Sequence, residues 1–401
     1  MSLNTALAVL FWLLTALVIY SYIGYGLVLF VLVKLKRRLR PEQKPAIFDD
    51  DALPSVTVLM AAYNEEDWIE DKIRNSLAFD YPAGKLELLF VTDGSNDRTP
   101  EIIAAFPKPE QVRIRLFHQP ERRGIIAAVE RVMPEVNTSI IVFTDANTQV
   151  NPEAIRRIVQ HYSNPDIGAV AGEKRIRMEA KAEASSAGEG IYWKYESKLK
   201  QWDAELYSVV GAAGELFSVR RDLSEPIPGD TIIEDFYTTL RIAQRGYRVA
   251  YEPGAYAVES SSASVAEELK RKIRIAAGGL QAIYRLRALL NPLRYGTLSF
   301  QYVSHRVLRW TLAPLALPLI LAINIYLALQ GSVFFQWMLW AQIAFYLLAT
   351  IGWFLERRQL KVKMFFIPYY FCMMNYAVYR GFGRFMNGSQ SVLWERAKRS
   401  T

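Results

Sequence analysis

An α/β domain, its sheet covered by helices on both faces and held between membrane-spanning segments, is the architecture this sequence predicts. Three observations predict it. Long apolar runs lie near both ends of the chain. Between them, short β-branched or apolar runs alternate with helix-like stretches, and acidic or amide residues follow several of the predicted strands. Of 401 residues, 51% are hydrophobic, enough for one large domain together with membrane segments.

Ala6 to Val33 is almost purely apolar and exceeds the ~20 residues needed to cross a bilayer. A cleaved signal peptide would carry basic residues first, but Met1 to Thr5 has none. Lys34, Lys36, Arg37, Arg38 and Arg40 follow instead, which predicts the N-terminus outside and the next segment in the cytoplasm. Leu308 to Gln330 and Phe334 to Leu355 are joined by Gly331-Ser332-Val333 and followed by the basic stretch Glu356 to Lys363. That pattern predicts a hairpin entering from the cytoplasm and returning to it. Met364 to Tyr379 is shorter and contains Pro368 and Asn375. A full crossing there would put the basic tail, Arg380 to Arg399, outside, so a re-entrant or interfacial segment is expected. The expected division is 1–40 (anchor), 41–295 (cytoplasmic domain) and 296–401 (interfacial and membrane region).

Composition narrows the chemistry. The single cysteine, Cys372, excludes an internal disulfide framework and a cysteine-rich zinc site, and three histidines argue against a histidine metal cluster. The formal charge of +8 gathers beside apolar stretches, which points to lipid headgroups and phosphate rather than to nucleic acid.

In the central block, Pro41 to Pro54 reads as a polar linker. Ser55 to Ala61, Leu86 to Thr92, Val112 to His118 and Ser139 to Thr144 read as strands, and Glu66 to Leu77 and Pro152 to Tyr162 as helices between them. The alternation predicts a parallel sheet whose strand ends bind ligands. Ala62-Tyr63-Asn64-Glu65-Glu66 follows the first strand, Asp93-Gly94-Ser95-Asn96-Asp97 the second and Asp145-Ala146-Asn147 the fourth. Each alone is equally a turn or a helix start. Their convergence on one sheet edge is not turn chemistry. Tyr63 suits stacking on a nucleobase, Asp93 suits its N–H groups, and Asp145 suits a hard divalent cation that shares phosphate oxygens.

Farther on, Pro228 to Asp235 precedes a helix-like stretch, Phe236 to Arg245, that ends at Gly246. Glu234 and Asp235 either favour a helix N-terminus or, through Asp235, supply a general base. Lys270-Arg271-Lys272-Ile273-Arg274 is either a solvated or lipid-facing basic helix or a clamp on a diphosphate.

In that order, these motifs resemble glycosyltransferase family 2 over about residues 50–290. The membrane-integrated branch with cellulose, chitin, hyaluronan and poly-N-acetylglucosamine synthases is the most similar. The resemblance implies a GT-A fold, a UDP-sugar or other nucleotide-sugar donor, Mg²⁺ or Mn²⁺, and inversion at the anomeric carbon. It implies that Tyr63, Glu65 and Asp93 contact the nucleoside and that Asp145 with Asn147 holds the metal. It makes Asp235, beside Glu234, the catalytic base, and sets Arg271 and Arg274 on the family's [Gln/Arg]-x-x-Arg-Trp motif. Three positions depart from the family pattern. Asn147 replaces the second aspartate, Arg122-Arg123-Gly124-Ile125 lacks a lysine, and Ile275 stands where processive synthases carry a tryptophan. Trp193 and Trp202 are candidates for the missing platform, although aromatics at helical spacing are more often part of a core. The resemblance leaves open a polysaccharide synthase, a single-addition enzyme acting on a lipid or lipid-linked glycan, and a non-catalytic nucleotide-binding subunit. Expected partners are the donor, a glycan or lipid-linked acceptor and membrane lipids, with further membrane subunits or a homo-oligomer left open.

Overall fold

A computed structural model describes residues 2–39, 47–177, 185–260, 264–358, 360 and 362–391. Arg40, residues 41–46 of the predicted linker, two positions of the basic stretch before 364 and 392–399 of the basic tail lie outside the described residues. The chain divides into two compact units. One draws on Lys36–Arg177 and Lys200–Ala263, the other on Met1–Leu35, Met178–Leu199 and Ser264–Gln390.

The first unit is built on eight described strands, which are Val56–Ala62 (β1), Leu86–Asp93 (β2), Arg113–Gln119 (β3), Ile140–Thr144 (β4), Gln149–Val150 (β5), Ile167–Arg177 (β6), Leu216–Arg220 (β7) and Arg248–Ser260 (β8). They form one sheet in the order β3-β2-β1-β4-β7-β6-β8-β5. β3, β2, β1 and β4 are parallel, with Ala62 opposite Thr92, Asp93 opposite Gln119 and Leu59 opposite Phe143. Their carboxyl ends therefore share one edge. β2 is buried along its whole length, which explains its near-continuous apolar run. Val58, Met60, Phe90 and Val142 pack against Ile73 and Ile158 from covering helices.

The parallel run of strands ends at β4, and beyond it the sheet is mixed, Rossmann-like, as a GT-A fold implies. β7 runs antiparallel to both β4 and β6. The four strands read from the sequence each lie within a residue or so of their observed bounds. β5 to β8 lie beyond the strands expected from the sequence, although helices separate them too. The expected Phe236–Arg245 helix begins earlier, as Glu234–Gln244, placing both acidic residues in its first turn.

The second unit holds, among the described residues, three helices long and apolar enough to cross a membrane. They are Leu3–Leu39, Leu312–Leu329 and Val333–Arg357. A π-helical turn at Tyr20–Gly24 interrupts the first. The predicted Leu308–Gln330 stretch is broken at Thr311 (φ −131°, ψ −89°), which leaves Leu308–Trp310 separate. Gly331, with φ +85°, turns the chain into the next helix. Met364 to Tyr379 lies inside a longer continuous helix, Lys363–Met386, because Arg380 and its neighbours extend it instead of opening a tail. Gly381 of that helix has no room for a Cβ against Ile273, Ala276 and Ala277 of the Val265–Arg285 helix.

A buried ionic cluster also belongs to this unit. Glu196 pairs with Arg309, lies 3.3 Å from His305 Nε2 and 3.4 Å from Arg306. Arg309 Nε also donates to the Ser21 carbonyl at 2.8 Å.

Candidate active site

The loops after β1 and β2 are laced together. Asn64, the one non-glycine residue with positive φ among those described, adopts +55°, a conformation asparagine tolerates. Its Nδ2 donates to Asn96 Oδ1 at 2.7 Å, and its Oδ1 accepts from the Asn96 amide at 3.0 Å. The Glu65 amide donates to Thr99 Oγ1 at 2.8 Å and the Glu66 amide to Asp97 Oδ2 at 3.1 Å. These bonds hold Tyr63 and Glu65 beside the end of β2.

Asp93 ends β2 and is buried. Its Oδ2 accepts from the amides of Arg123 and Gly124, at 2.8 and 2.6 Å. Its Oδ1 is buried and meets no hydrogen-bond donor in the described structure. A buried acceptor in that state carries an unmet desolvation cost that an incoming N–H group would relieve. The same loop approaches so closely that a Cβ on Gly94 would lie 2.5 Å from Arg122 Cβ. Arg122 in turn sets its guanidinium carbon 3.7 Å from the Tyr63 ring centre, so the predicted stacking platform has one face covered. Ile125, where the family pattern has lysine, begins the Ile125–Val132 helix and turns to a cavity.

That cavity, about 560 Å³, is lined by Asp145 from the end of β4, by Gly214, and by Glu234 and Thr238 from the Glu234–Gln244 helix. Asp235 is not part of the lining, but its Oδ2 lies close behind Gly214, where a Cβ would sit 3.5 Å from it. The two acidic motifs, some ninety residues apart, thus meet around one space. The Gly211–Gly214 stretch makes this possible. Gly211 has φ +82°, and a Cβ there would collide with the Phe236 ring. Thr239 fastens the helix to this stretch by accepting from the Ala212 amide at 3.1 Å and donating to the Asp235 carbonyl at 2.7 Å. The Gly-Ala-Ala-Gly run ahead of β7 was the available signal, and the sequence reading passed over it.

Lys72 was also passed over. It lies fully buried under the Asp145 turn, donating to Thr144 Oγ1 at 3.0 Å and to the Thr148 carbonyl at 2.9 Å. Burial pulls its pKa down to about 7, partly offset by the charge of Asp145. In the sequence it looks like a surface lysine of an amphipathic helix.

Asn147 lines a different cavity, of about 460 Å³, on the other side of the turn. Among the described residues no three His, Cys, Asp or Glu side chains group as a ready metal cage. The donor chemistry still fits Mg²⁺ or Mn²⁺, which bind through one or two carboxylates plus substrate phosphates rather than an all-protein cage. Arg271 and Arg274 belong to the other unit. Arg271 holds Glu268 through two bonds of 3.0 and 3.1 Å within its own helix. Trp193 lies beside the Lys272 ammonium, 5.4 Å from its ring centre, and neither it nor Trp202 lines the acidic cavity.

Residues 57–227 match the model for glycosyl transferase family 2. Over 250 residues the chain is 29% identical to the poly-β-1,6-N-acetyl-D-glucosamine synthase of Staphylococcus aureus strain MSSA476, covering 61% of this chain and 58% of that one. The chain thus spans well under two thirds of that relative. It is 25% identical over 333 residues to a probable glycosyltransferase of Bacillus subtilis strain 168, covering 79% and 78%. A mannosyltransferase from Pyrobaculum calidifontis, in complex with GDP-Man and Mn²⁺, superposes with a TM-score of 0.72 at 22% identity over 95% of this chain and 99% of that one. The mixed eight-stranded sheet is a GT-A fold.

Proposed function

From its family 2 glycosyltransferase domain, we propose that this chain transfers a sugar from a nucleotide-sugar donor to a glycan or lipid-linked acceptor during polysaccharide synthesis at a membrane. One observation carries the proposal: Asp145 and Glu234 line a single cavity, and Asp235 follows Glu234 with its Oδ2 close to Gly214 of the same wall. Asp235 removes a proton from the acceptor hydroxyl, which attacks the anomeric carbon from the face opposite the nucleotide and inverts it. Glu234 stands beside it in the first turn of the helix. Asp93, through its unmet Oδ1, accepts an N–H of the base, with Tyr63 and Glu65 alongside. Asp145 would hold Mg²⁺ or Mn²⁺, which supplies charge neutralisation for the departing diphosphate; Asn147, two residues on, lines the other cavity and is not assigned that role. The cavity aligns donor and acceptor, so small displacements of its walls are costly. The assignment of Arg271 and Arg274 to the diphosphate rests on their motif alone.

Basic residues after the first apolar helix favour a cytoplasmic catalytic unit and an outside N-terminus. A second reading, single addition to a lipid acceptor, draws support from Ile275 in place of a platform aromatic. Product length from purified chain and labelled donor separates the two. The primary test is release of nucleoside diphosphate from a panel of UDP- and GDP-sugars, with and without Mn²⁺. Cation-dependent release that Asp145→Ala abolishes is expected. Release that ignores both cation and Asp145 would overturn the metal assignment.

A further inference from the structure

We infer that the second cavity of the catalytic unit, the one lined by Asn147, is a carbohydrate-binding site that seats the acceptor glycan. At about 460 Å³ it falls in the range of roughly 300–1,000 Å³ usual for small-ligand sites. Its walls include Trp68, Asp71, Asn147, Gln149, Arg177 and Ser260.

A sugar ring presents a flat C–H face and a rim of hydroxyls, each both donor and acceptor. The indole of Trp68 offers an apolar surface to the face. The amides of Asn147 and Gln149 can give and receive, Asp71 only receives, and Arg177 only gives, so together they match a hydroxyl rim. Inorganic phosphate or a diphosphate would meet the Asp71 carboxylate, a repulsive neighbour for an anion. The floor is already braced. Asn75 holds both sides of Val150, donating to its carbonyl at 2.8 Å and accepting from its amide at 2.9 Å. Arg74, another wall residue, is paired with Glu70 at 2.6 Å and lies over Phe106. Binding therefore needs little reorganisation.

The position matters as much as the chemistry. Asp145 turns to the donor cavity, while Asn147 and Gln149 turn to this one, and Lys72 anchors the connecting turn from beneath. A glycan seated here is a neighbour of the donor cavity across one short turn. That the glycan is an acceptor rests on the proposed transferase reading; that the cavity takes a saccharide does not.

The full-length chain in lipid nanodiscs, without donor, would be examined by saturation-transfer NMR. The probes are a panel of β-linked hexose and N-acetylhexosamine di- to tetrasaccharides. At least one should receive saturation, and its affinity should fall at least about tenfold in Trp68→Ala and in Gln149→Ala, with Trp68→Tyr recovering much of it. Gln149→Ala keeps the test alive if Trp68→Ala unfolds. No signal from any member, signal unchanged in both alanine variants, or displacement by inorganic phosphate would overturn the site. Because no donor is present, a chain that binds saccharide yet transfers nothing would sink the catalytic reading alone.

Discussion

Asp93 and Glu196 are both carboxylates with almost no exposed surface, 6% and 2%, yet their surroundings differ in kind. Glu196, in the unit of apolar helices, is met by Arg309, Arg306 and His305. Burial alone would raise its pKa, but Arg309 first and Arg306 next reverse that and hold it well below the usual carboxylate range. Asp93 is half satisfied, with two amides on Oδ2 and a bare Oδ1. A buried carboxylate met by cations on both oxygens is architecture. A carboxylate left short of donors at a strand end is a place for a ligand, since burying an unmet acceptor otherwise only costs stability.

If that contrast is sound, substitutions in the catalytic unit should cost turnover with the fold intact, and those around Glu196 should cost the fold. The largest effect is expected at Asp235. Asp235→Asn should lower turnover by about 10²–10⁴-fold, the usual contribution of a general base, with the denaturation midpoint unchanged. Wild-type turnover removes the base assignment. Next, Glu196→Ala should cost about 3–5 kcal/mol of stability, because it removes the buried carboxylate that Arg306 and Arg309 share. Denaturant titration in detergent checks this, and a loss below about 1 kcal/mol would erase the distinction between the two regions. The stability Glu196 contributes is present above the ordinary carboxylate pKa and is lost as pH falls toward its depressed folded value.

Gly211→Ala sharpens the comparison by mixing its terms. The left-handed backbone costs about 1–2 kcal/mol for any residue with a Cβ, and the Phe236 collision displaces the helix that carries Asp235. Both stability and turnover should fall. Loss of stability with turnover per folded molecule unchanged would show that Asp235 tolerates movement. Smallest is Lys72. Its folded pKa, about 7, lies below its ordinary 10.5, so between these values the unfolded chain binds a proton that the folded chain does not. Stability should therefore rise with pH across that window, by at most about 1.4 kcal/mol per unit, and be flat below it. The slope should vanish in Lys72→Met; its persistence there would assign it to another group.

Local pattern determined a good part of this protein. Apolar runs of bilayer length marked the three candidate spans, and the β-branched runs marked β1 to β4, because period and length are properties of neighbouring residues. The order of Tyr63, Asp93, Asp145 and Asp235 along the chain was enough to suggest a family and, through it, a chemistry. Only tertiary structure decided what meets what. β7 settled between β4 and β6, Gly211 let the helix of Glu234 and Asp235 close on the Asp145 turn, Arg122 covered Tyr63, and Lys72 went inside. Asn147 and Asp145, two residues apart, came to line different cavities. Each of these depends on packing between segments far apart in the chain, where free energy is set by burial and by the partners that burial supplies, and no local pattern carries that information.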